Sequence, residues 1–340
     1  MYEAITLESL RDLTMRRAQG CQKQAKTFRE QLEWLQKYLS FLVDFASKAE
    51  VALVEYSFKR LNFFWTSPLA GAPHSQFHLP GIDFEQAMAM MLYAAGLREA
   101  GHVAASSSPS TNGGRDVKQP DYTEAASLLR QAAGVYQHAQ EALLGPLQAS
   151  LPSQRPAELV PAMAETMGLV CMAEAQAVIG FRAESKGSLP GTVASLMVGA
   201  SDLCEQAASL LKTHATDFSA VSPELRKFIA LSSSLYEARA KVSLAKQEQQ
   251  AENMGLCLSN LKAATQCLHD CKAVAGSMGQ WHSVLDREIE VIEKLLAVCH
   301  NENNSVYFQA VAKCSSPLPP GKVIATPVPL QLPELRIDVI

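Results

Sequence analysis

Apolar residues recur at alternating intervals of four and three positions along the first strongly patterned stretch of the chain. They are Phe28, Leu32, Leu35, Leu39, Leu42, Ala46, Ala49, Leu53 and Tyr56. This heptad spacing predicts a helix of about 29 residues, roughly 43 Å long, that packs lengthwise against a partner helix. The pattern ends within NFFWTSPLAGAPHSQFHLPG, residues 62–81, because the prolines there cannot continue a helix.

Helical periodicity returns after this break in a series of segments. They span residues 82–101, 121–144, 158–184, 192–215, 222–247, 253–276 and 281–302. The predicted N-caps are Asp83, Asp121 and Ser222; Gln86 would complete a capping box with Asp83, and Pro223 suits a first helical position. One apolar stripe is expected to face the core, and it consists of Leu261, Ala264, Leu268, Cys271 and Ala275.

These elements predict an all-α, elongated fold, expected to form a single domain over residues 1–340. Helices rich in Ala and Leu suggest stacked hairpins in the manner of tetratricopeptide repeats, although the repeat consensus is poorly matched. A flexible loop is expected over 105–120 and a proline-rich strap over 315–340. We expect the strap to lie against the helical body, and the alternative is a polyproline-II ligand for a partner. The strap residues expected to be buried are Val323, Ile324, Val328 and Leu330.

Composition and charge narrow the class of protein. Apolar residues make up 48% of the chain and aromatic residues only 7%, which favours closely packed helices over a β-sandwich. The net charge is −4 without a basic stripe, so nucleic acid is not expected as a partner. A basic cluster near the N-terminus predicts a solvated helix face or, alternatively, contact with acidic lipid headgroups; it consists of Arg11, Arg16, Arg17, Lys23, Lys26 and Arg29.

The sequence predicts no targeting signal. The N-terminus lacks the basic start and apolar run of a signal peptide, and the C-terminal IDVI has no prenylation cysteine. By this criterion, no stretch is expected to approach the roughly 20 apolar residues of a membrane helix. Eight scattered cysteines are typical of a reducing compartment. A soluble intracellular protein is the resulting expectation.

Candidate chemistry is sparse. The sequence contains no phosphate-binding loop, dinucleotide-binding, nucleophile-elbow or zinc-protease motif. In CLHDC, Cys267 and Cys271 share a helix face, but His269 points away and no second ligand pair follows at zinc spacing. Glu99 and His102 form only one of the two Glu-x-x-His motifs of a helical di-iron site. We therefore expect a binding protein without cofactor, metal or small-molecule substrate; a metal or thiol enzyme at Cys267–Cys271 is the minor alternative.

Four stretches, in order, resemble the Bro-one domain family of endosomal-targeting domains. They are IDFEQAMAMMLYAAGLREAG (82–101), DYTEAASLLRQAAGVYQHA (121–139), MAEAQAVIGFRAE (172–184) and NENNSVYFQAVAKCSSPLPPGKVIATPVPL (301–330). The N-terminal run 16–42 and KRLNFFWTSPL (59–69) are similar to the plant single-domain group of this family. The resemblance covers nearly the whole chain.

The resemblance implies a boomerang-shaped body and a cytoplasmic adaptor of endosomal sorting that is recruited to endosomes. It also implies a partner, the amphipathic C-terminal helix of a Snf-seven-type ESCRT-III subunit. By motif position, the groove for this helix would involve Ile179 or Gly180, then Val193 and Leu196; Met197 extends the same apolar strip. Two alternatives stay open. These residues could be core, and the protein could be a helical scaffold for an unrelated partner.

Overall fold

The fold is described from a computed structural model, over residues 7–21, 28–51, 61–70, 76–106, 108–109, 117–218 and 221–332. The long helices are α1 (Leu7–Cys21), α2 (Phe28–Val51), α3 (Ile82–Ala105), α4 (Tyr122–His138), α5 (Pro161–Ser185), α6 (Pro190–Thr213), α7 (Pro223–Gln250), α8 (Met254–Ala275) and α9 (Gly279–Glu302). A π-turn over Ala139–Leu144 extends α4, and another over Asn303–Tyr307 extends α9. The predicted all-α, boomerang-like helical body is confirmed.

A β-hairpin occupies part of residues 62–81, where the prolines were predicted only to interrupt the helix. Strand β1 (Asn62–Thr66) pairs antiparallel with β2 (Gln76–Pro80), and Phe64 lies opposite His78. The aromatic residues of NFFWT favour a strand, and the nearby prolines and glycines favour a turn, so the local pattern was compatible with a hairpin. A second ladder joins Ser108–Pro109 (β3) to Val117–Lys118 (β4) inside the predicted loop over 105–120.

The helices from α3 to α9 stack in chain order, each against the next. Helix α5 lies at the centre, between α4 and α6. It is long and apolar enough to cross a membrane by length and composition, so our expectation that no such stretch exists was wrong. Most of that stretch is buried inside the protein, as in the core helix of a globular domain.

Local signals placed most helix starts correctly. The Asp121 side chain accepts hydrogen bonds from the backbone N–H groups of Thr123 and Glu124, as predicted for an N-cap. Ser222 caps α7 in the same way by accepting from Glu224. The prediction for Asp83 was wrong: α3 begins at Ile82, and Asp83 lies in its first turn. The predicted stripe from Leu261 to Ala275 on α8 is buried throughout, which confirms its orientation.

The N-terminal helices and the hairpin meet at one buried carboxylate. Glu85, on α3, accepts hydrogen bonds from Arg17 at 2.7 Å, Tyr38 at 2.7 Å and the indole nitrogen of Trp65 at 2.6 Å. Because these donors come from α1, α2 and β1, Glu85 orients three elements against α3. Arg17 therefore turns inward and is not part of a uniformly solvated basic face.

The C-terminal strap lies against the helical body, as predicted. Its backbone crosses α6 and α4, where the Lys322 N–H donates to the Ser195 carbonyl oxygen and the Val328 N–H to that of Arg130. The burial prediction was wrong for Val323 and Ile324, which are exposed. Within the described part of the strap, residues 315–332, the buried residue is Ala325, where the backbone N–H donates to Gln176 of α5 at 3.1 Å.

Candidate partner-binding site

The segment MAEAQAVIGFRAESKG, residues 172–187, covers the second half of α5 and the turn that follows it. Its Gln176 is fully buried. The Gln176 Nε2 donates to the carbonyl oxygens of Leu196 at 3.2 Å and Lys322 at 2.7 Å. Its Oε1 accepts from the backbone N–H groups of residues 324 and 325, at 3.0 and 3.1 Å. Gln176 therefore fastens the strap to α5 and α6, a role that its local sequence does not indicate.

Helices α5 and α6 approach closely at Gly180. A Cβ atom added at Gly180 would lie 2.8 Å from the Met197 terminal methyl and 3.8 Å from the Leu196 Cβ. The absence of a side chain at Gly180 thus permits the contact between the two helices. Three of the predicted groove residues, Gly180, Leu196 and Met197, meet here.

The predicted groove residues on α6 are packing residues. Val193, Leu196 and Met197 are only 2%, 3% and 1% exposed. Val193 and Met197 belong to a small apolar cluster with Ala240 and Leu244 of α7. The structure brings the predicted residues together at one helix contact, but it does not present these three side chains to solvent.

Phe181 covers this cluster from outside. The ring is half-buried, packs against the apolar cluster of α6 and α7, and has the Arg239 guanidinium carbon 4.6 Å from its centroid. Arg239 in turn forms an ion pair with Glu288 of α9. Ile179 is also half-buried, and Leu189, which precedes α6, is 74% exposed. Phe181 and Leu189 were missed as candidates, although both follow the quoted Ala-Gln stretch closely.

A buried ion pair lies nearly two turns before Gly180 on α5. Arg98 donates to Glu174 through two nitrogens, at 2.8 and 2.5 Å, and the His102 Nε2 lies 3.3 Å away. Burial alone would raise the pKa of Glu174, but the charge and hydrogen bonds of Arg98, with His102, lower it to about 2. Glu174 is therefore an ionised structural partner that joins α5 to α3.

The cysteine stretch on α8 does not gather ligands. Cys271 is buried, His269 is exposed, and the Cys267 thiol donates to the Ser234 carbonyl oxygen at 3.5 Å. Within the described ranges, no group of three or more His, Cys, Asp or Glu side chains could hold a metal ion.

A stack of long helices crossed by an extended strap defines the class of curved, all-helical domains. The family model of the BRO1-like domain matches residues 3–336. The chain belongs to the BRO1-like domain family.

Relatives and solved structures agree with this assignment. The chain is 23% identical over 320 residues to the BRO1 domain-containing protein BROX of Homo sapiens, an alignment that covers 88% of this chain and 73% of BROX. BROX of Xenopus tropicalis is also 23% identical, with 88% and 72% covered. The BRO1 domain of ALIX in complex with CHMP4C has a TM-score of 0.69 at 18% identity, covering 96% of this chain and 85% of that one. A Bro1 domain studied for endosomal targeting gives 0.63 at 14%, with 95% and 83% covered.

Proposed function

We propose that the chain is a non-enzymatic adaptor of endosomal sorting, recruited from the cytoplasm to endosomes, that binds the C-terminal amphipathic helix of a Snf-seven-type ESCRT-III subunit. The observation that carries the proposal is the family match over residues 3–336. The ALIX BRO1 domain, solved with the ESCRT-III subunit CHMP4C, has the same fold and supports a partner of this kind.

The proposed contact surface lies over the α5–α6 contact. Ile179 and Phe181, both half-buried, would meet the apolar face of the partner helix. Val193, Leu196 and Met197 would support them from beneath, since all three are buried. Gly180 lets the two helices approach closely enough to form this floor.

One observation favours the alternative, a helical scaffold for an unrelated partner. The groove interpretation needs apolar side chains that a partner can reach, and Val193 and Leu196 are buried. Exposed apolar side chains lie instead along α9, where Val284, Val291 and Val298 face solvent at intervals of seven residues. A partner that binds this edge would leave α5 and α6 untouched.

A titration with a labelled peptide of the ESCRT-III C-terminal helix distinguishes the two proposals. We expect saturable binding by the wild type and a loss of about tenfold or more in Phe181→Asp, as for an anchor residue at an interface. Val291→Asp on α9 is the matched control, because it adds the same charge at an exposed position far along the stack. Circular dichroism and thermal unfolding of each variant establish that it is folded.

The outcomes separate the interpretations. Equal weakening by both variants, or weakening by Val291→Asp alone, would move the contact to the α9 edge. No binding by folded wild type would remove the ESCRT-III helix as the partner and leave the scaffold alternative.

We further propose peripheral contact with an anionic endosomal membrane through the basic residues near the N-terminus. Arg16 pairs with Asp12 at 2.9 Å and Arg17 with Glu85 at 2.7 Å. Arg11 and Arg29 are exposed, and Arg29 forms only a solvent-exposed pair with Glu33 at 3.9 Å, so both can reach an anionic surface. Lys23 and Lys26 lie outside the described residues. Sedimentation with phosphatidylserine vesicles tests the proposal, and wild-type protein that stays in the supernatant at low salt would contradict it.

A further inference from the structure

A cavity of about 250 Å³ lies where the end of β1 meets α3, α4 and α5. It is distinct from the α5–α6 contact: its walls come from the Trp65–Leu69 region, the middle of α3 and the first half of α5. An apolar protein cavity of about 150 Å³ is large enough to bind benzene. This cavity therefore has room for a ring system of about ten non-hydrogen atoms.

The cavity changes character from its rim to its floor. Leu92, Thr66 and Pro68 at the rim are exposed, so the cavity opens to solvent. The floor is built from the buried thioethers of Met88, Met91 and Met167.

One wall of the cavity is the indole of Trp65. Its orientation is fixed by the 2.6 Å hydrogen bond from its Nε1 to Glu85. Methionine sulfur and an indole ring both make favourable contacts with aromatic rings, so the lining of the cavity favours an aromatic ligand.

One polar group in the lining has no hydrogen-bond partner within the described part of the protein. Tyr136 is 2% exposed, and its hydroxyl makes no hydrogen bond with any residue that the structure describes. Among the described residues, the fully enclosed side-chain polar atom without a partner is Arg155 Nε, so the Tyr136 oxygen is reached by solvent in the cavity. A ligand that displaces this solvent would form a hydrogen bond with the hydroxyl in its place. Burial raises the pKa of Tyr136, which keeps the hydroxyl neutral and able both to donate and to accept a hydrogen bond.

The charged groups of the lining already have partners within the protein. The Ser67 hydroxyl lies 2.9 and 2.7 Å from the two carboxylate oxygens of Glu158. Arg98 is held by Glu174. The described residues of the lining thus offer no uncompensated cation to an acidic ligand, and most of them are apolar.

We infer that this cavity is a binding site for a small, uncharged aromatic ring system carrying one hydroxyl or ring N–H group, which would bond to the Tyr136 hydroxyl. The ring would lie on the three methionine side chains and against Trp65. The inference does not depend on the ESCRT-III proposal, since the cavity residues are not those of the α5–α6 contact.

The test uses protein labelled with ¹³C at the methionine methyl groups, titrated with indole and with indene. The two ligands share size and shape, but only indole carries an N–H group. We expect both to shift the methyl signals of Met88, Met91 and Met167 while leaving methionines elsewhere, such as Met254 and Met278, unchanged. Tyr136→Phe should lower the affinity for indole about fivefold and change the affinity for indene by less than about twofold, as expected for the loss of one neutral hydrogen bond.

Matched variants separate binding from folding. Tyr236→Phe, at another buried tyrosine outside the cavity lining, should change neither affinity. Ala95→Trp places a bulky ring at the exposed rim and should abolish both shifts, whereas Val103→Trp, at an exposed position outside the lining on the same helix, should not. The inference is overturned if folded wild type shows no shift of the three signals up to the solubility limit of the ligands. It is equally overturned if Ala95→Trp binds like the wild type, or if Tyr136→Phe weakens both ligands alike.

The same ring chemistry could come from a free molecule or from a tryptophan side chain of a peptide. N-acetyltryptophanamide distinguishes these sources within the same assay. If it displaces indole, the rim admits a ring that is attached to a peptide. If it fails while indole binds, the site takes a free small molecule. Both results support an aromatic site and differ only in its source.

Discussion

Helices α5 and α9 have similar lengths but opposite surroundings. Helix α5 lies between α4 and α6, and apolar and polar side chains around nearly its whole circumference are buried. Helix α9 packs mainly against α8, burying Leu285, Ile289 and Ile292 while Val284 and Val291 face solvent. An apolar residue on α5 is thus a packing residue by position, whereas an apolar residue on α9 belongs either to the contact with α8 or to an open edge.

This difference bears directly on the candidate site. The residues selected by motif position fall on the interior pair α5 and α6, where an apolar strip is needed for packing whether or not a partner binds. A partner contact there must use the half-buried Ile179 and Phe181, since Val193 and Leu196 are enclosed. On α9, by contrast, the valines at the open edge are exposed, so a partner could contact them directly.

The largest expected effect comes from placing one charge at each location. Leu196→Asp should destabilise the protein by about 4 kcal/mol or more, because an unpaired carboxylate would replace a side chain that is 3% exposed. Val291→Asp, at a position that is 58% exposed, should change the free energy of unfolding by less than about 0.5 kcal/mol. Guanidinium denaturation followed by circular dichroism measures both values. Similar stabilities for the two variants would contradict the contrast between interior and edge.

The second effect compares ion pairs on the two helices. Glu174 on α5 has its pKa lowered to about 2, below the value of about 4.3 for an unfolded glutamate. Its contribution is therefore fully present above pH ~4.3 and is lost as the pH falls towards ~2, by about 3 kcal/mol in total. Glu174→Gln should lower the free energy of unfolding at neutral pH. It should also reduce the loss of stability that accompanies acidification below pH ~4.3.

The matched control for this variant is Glu290→Gln on α9. Glu290 pairs with Lys294 at 2.6 Å on the exposed surface, where solvent screens the pair. We expect no measurable change in the stability of this variant at neutral pH. Denaturation of both variants between about pH 2 and 7 measures these effects. If Glu174→Gln loses as much stability on acidification as the wild type, Glu174 is not the group responsible for that loss.

Local sequence signals predicted two of the helix starts because the hydrogen bonds of an N-cap join residues within a single turn. Asp121 and Ser222 accept from N–H groups two or three residues away. The prediction for Asp83 failed because the chain enters α3 through Gly81 at φ 92°, so the N-cap lies two residues earlier than predicted. The hairpin was also within reach of the sequence, since NFFWT combines strand-favouring residues with a turn-rich sequence after it.

The candidate site depends on contacts that no local pattern contains. Arg98 and Glu174 lie 76 residues apart, and Gln176 meets the strap 146 or more residues away. Whether Val193 is exposed depends on Ala240 and Leu244 of the next helix and on the ring of Phe181. A motif can identify which residues gather at α5 and α6, but their burial follows from which neighbouring helices cover them.

The smallest effect compares one glycine on each helix. Alanine is favoured over glycine within a helix by up to about 1 kcal/mol. At Gly279, on α9, an added Cβ would meet nothing within 4 Å, so Gly279→Ala should stabilise the protein by a few tenths of a kcal/mol to about 1. At Gly180, on α5, the added Cβ would lie 2.8 Å from the Met197 terminal methyl, which must move within a packed interior.

We expect this crowding to cancel the helix gain, so that Gly180→Ala is less stable than Gly279→Ala by about 1 kcal/mol. Met197→Leu removes the crowded terminal methyl, and the double variant Gly180→Ala/Met197→Leu should recover part of the difference, seen as a favourable coupling between the two sites. Thermal and chemical denaturation of the four proteins of this cycle give the coupling. Simple additivity would mean that the α5–α6 contact adapts elsewhere. The close approach at Gly180 would then not be what holds Leu196 and Met197 beneath the surface.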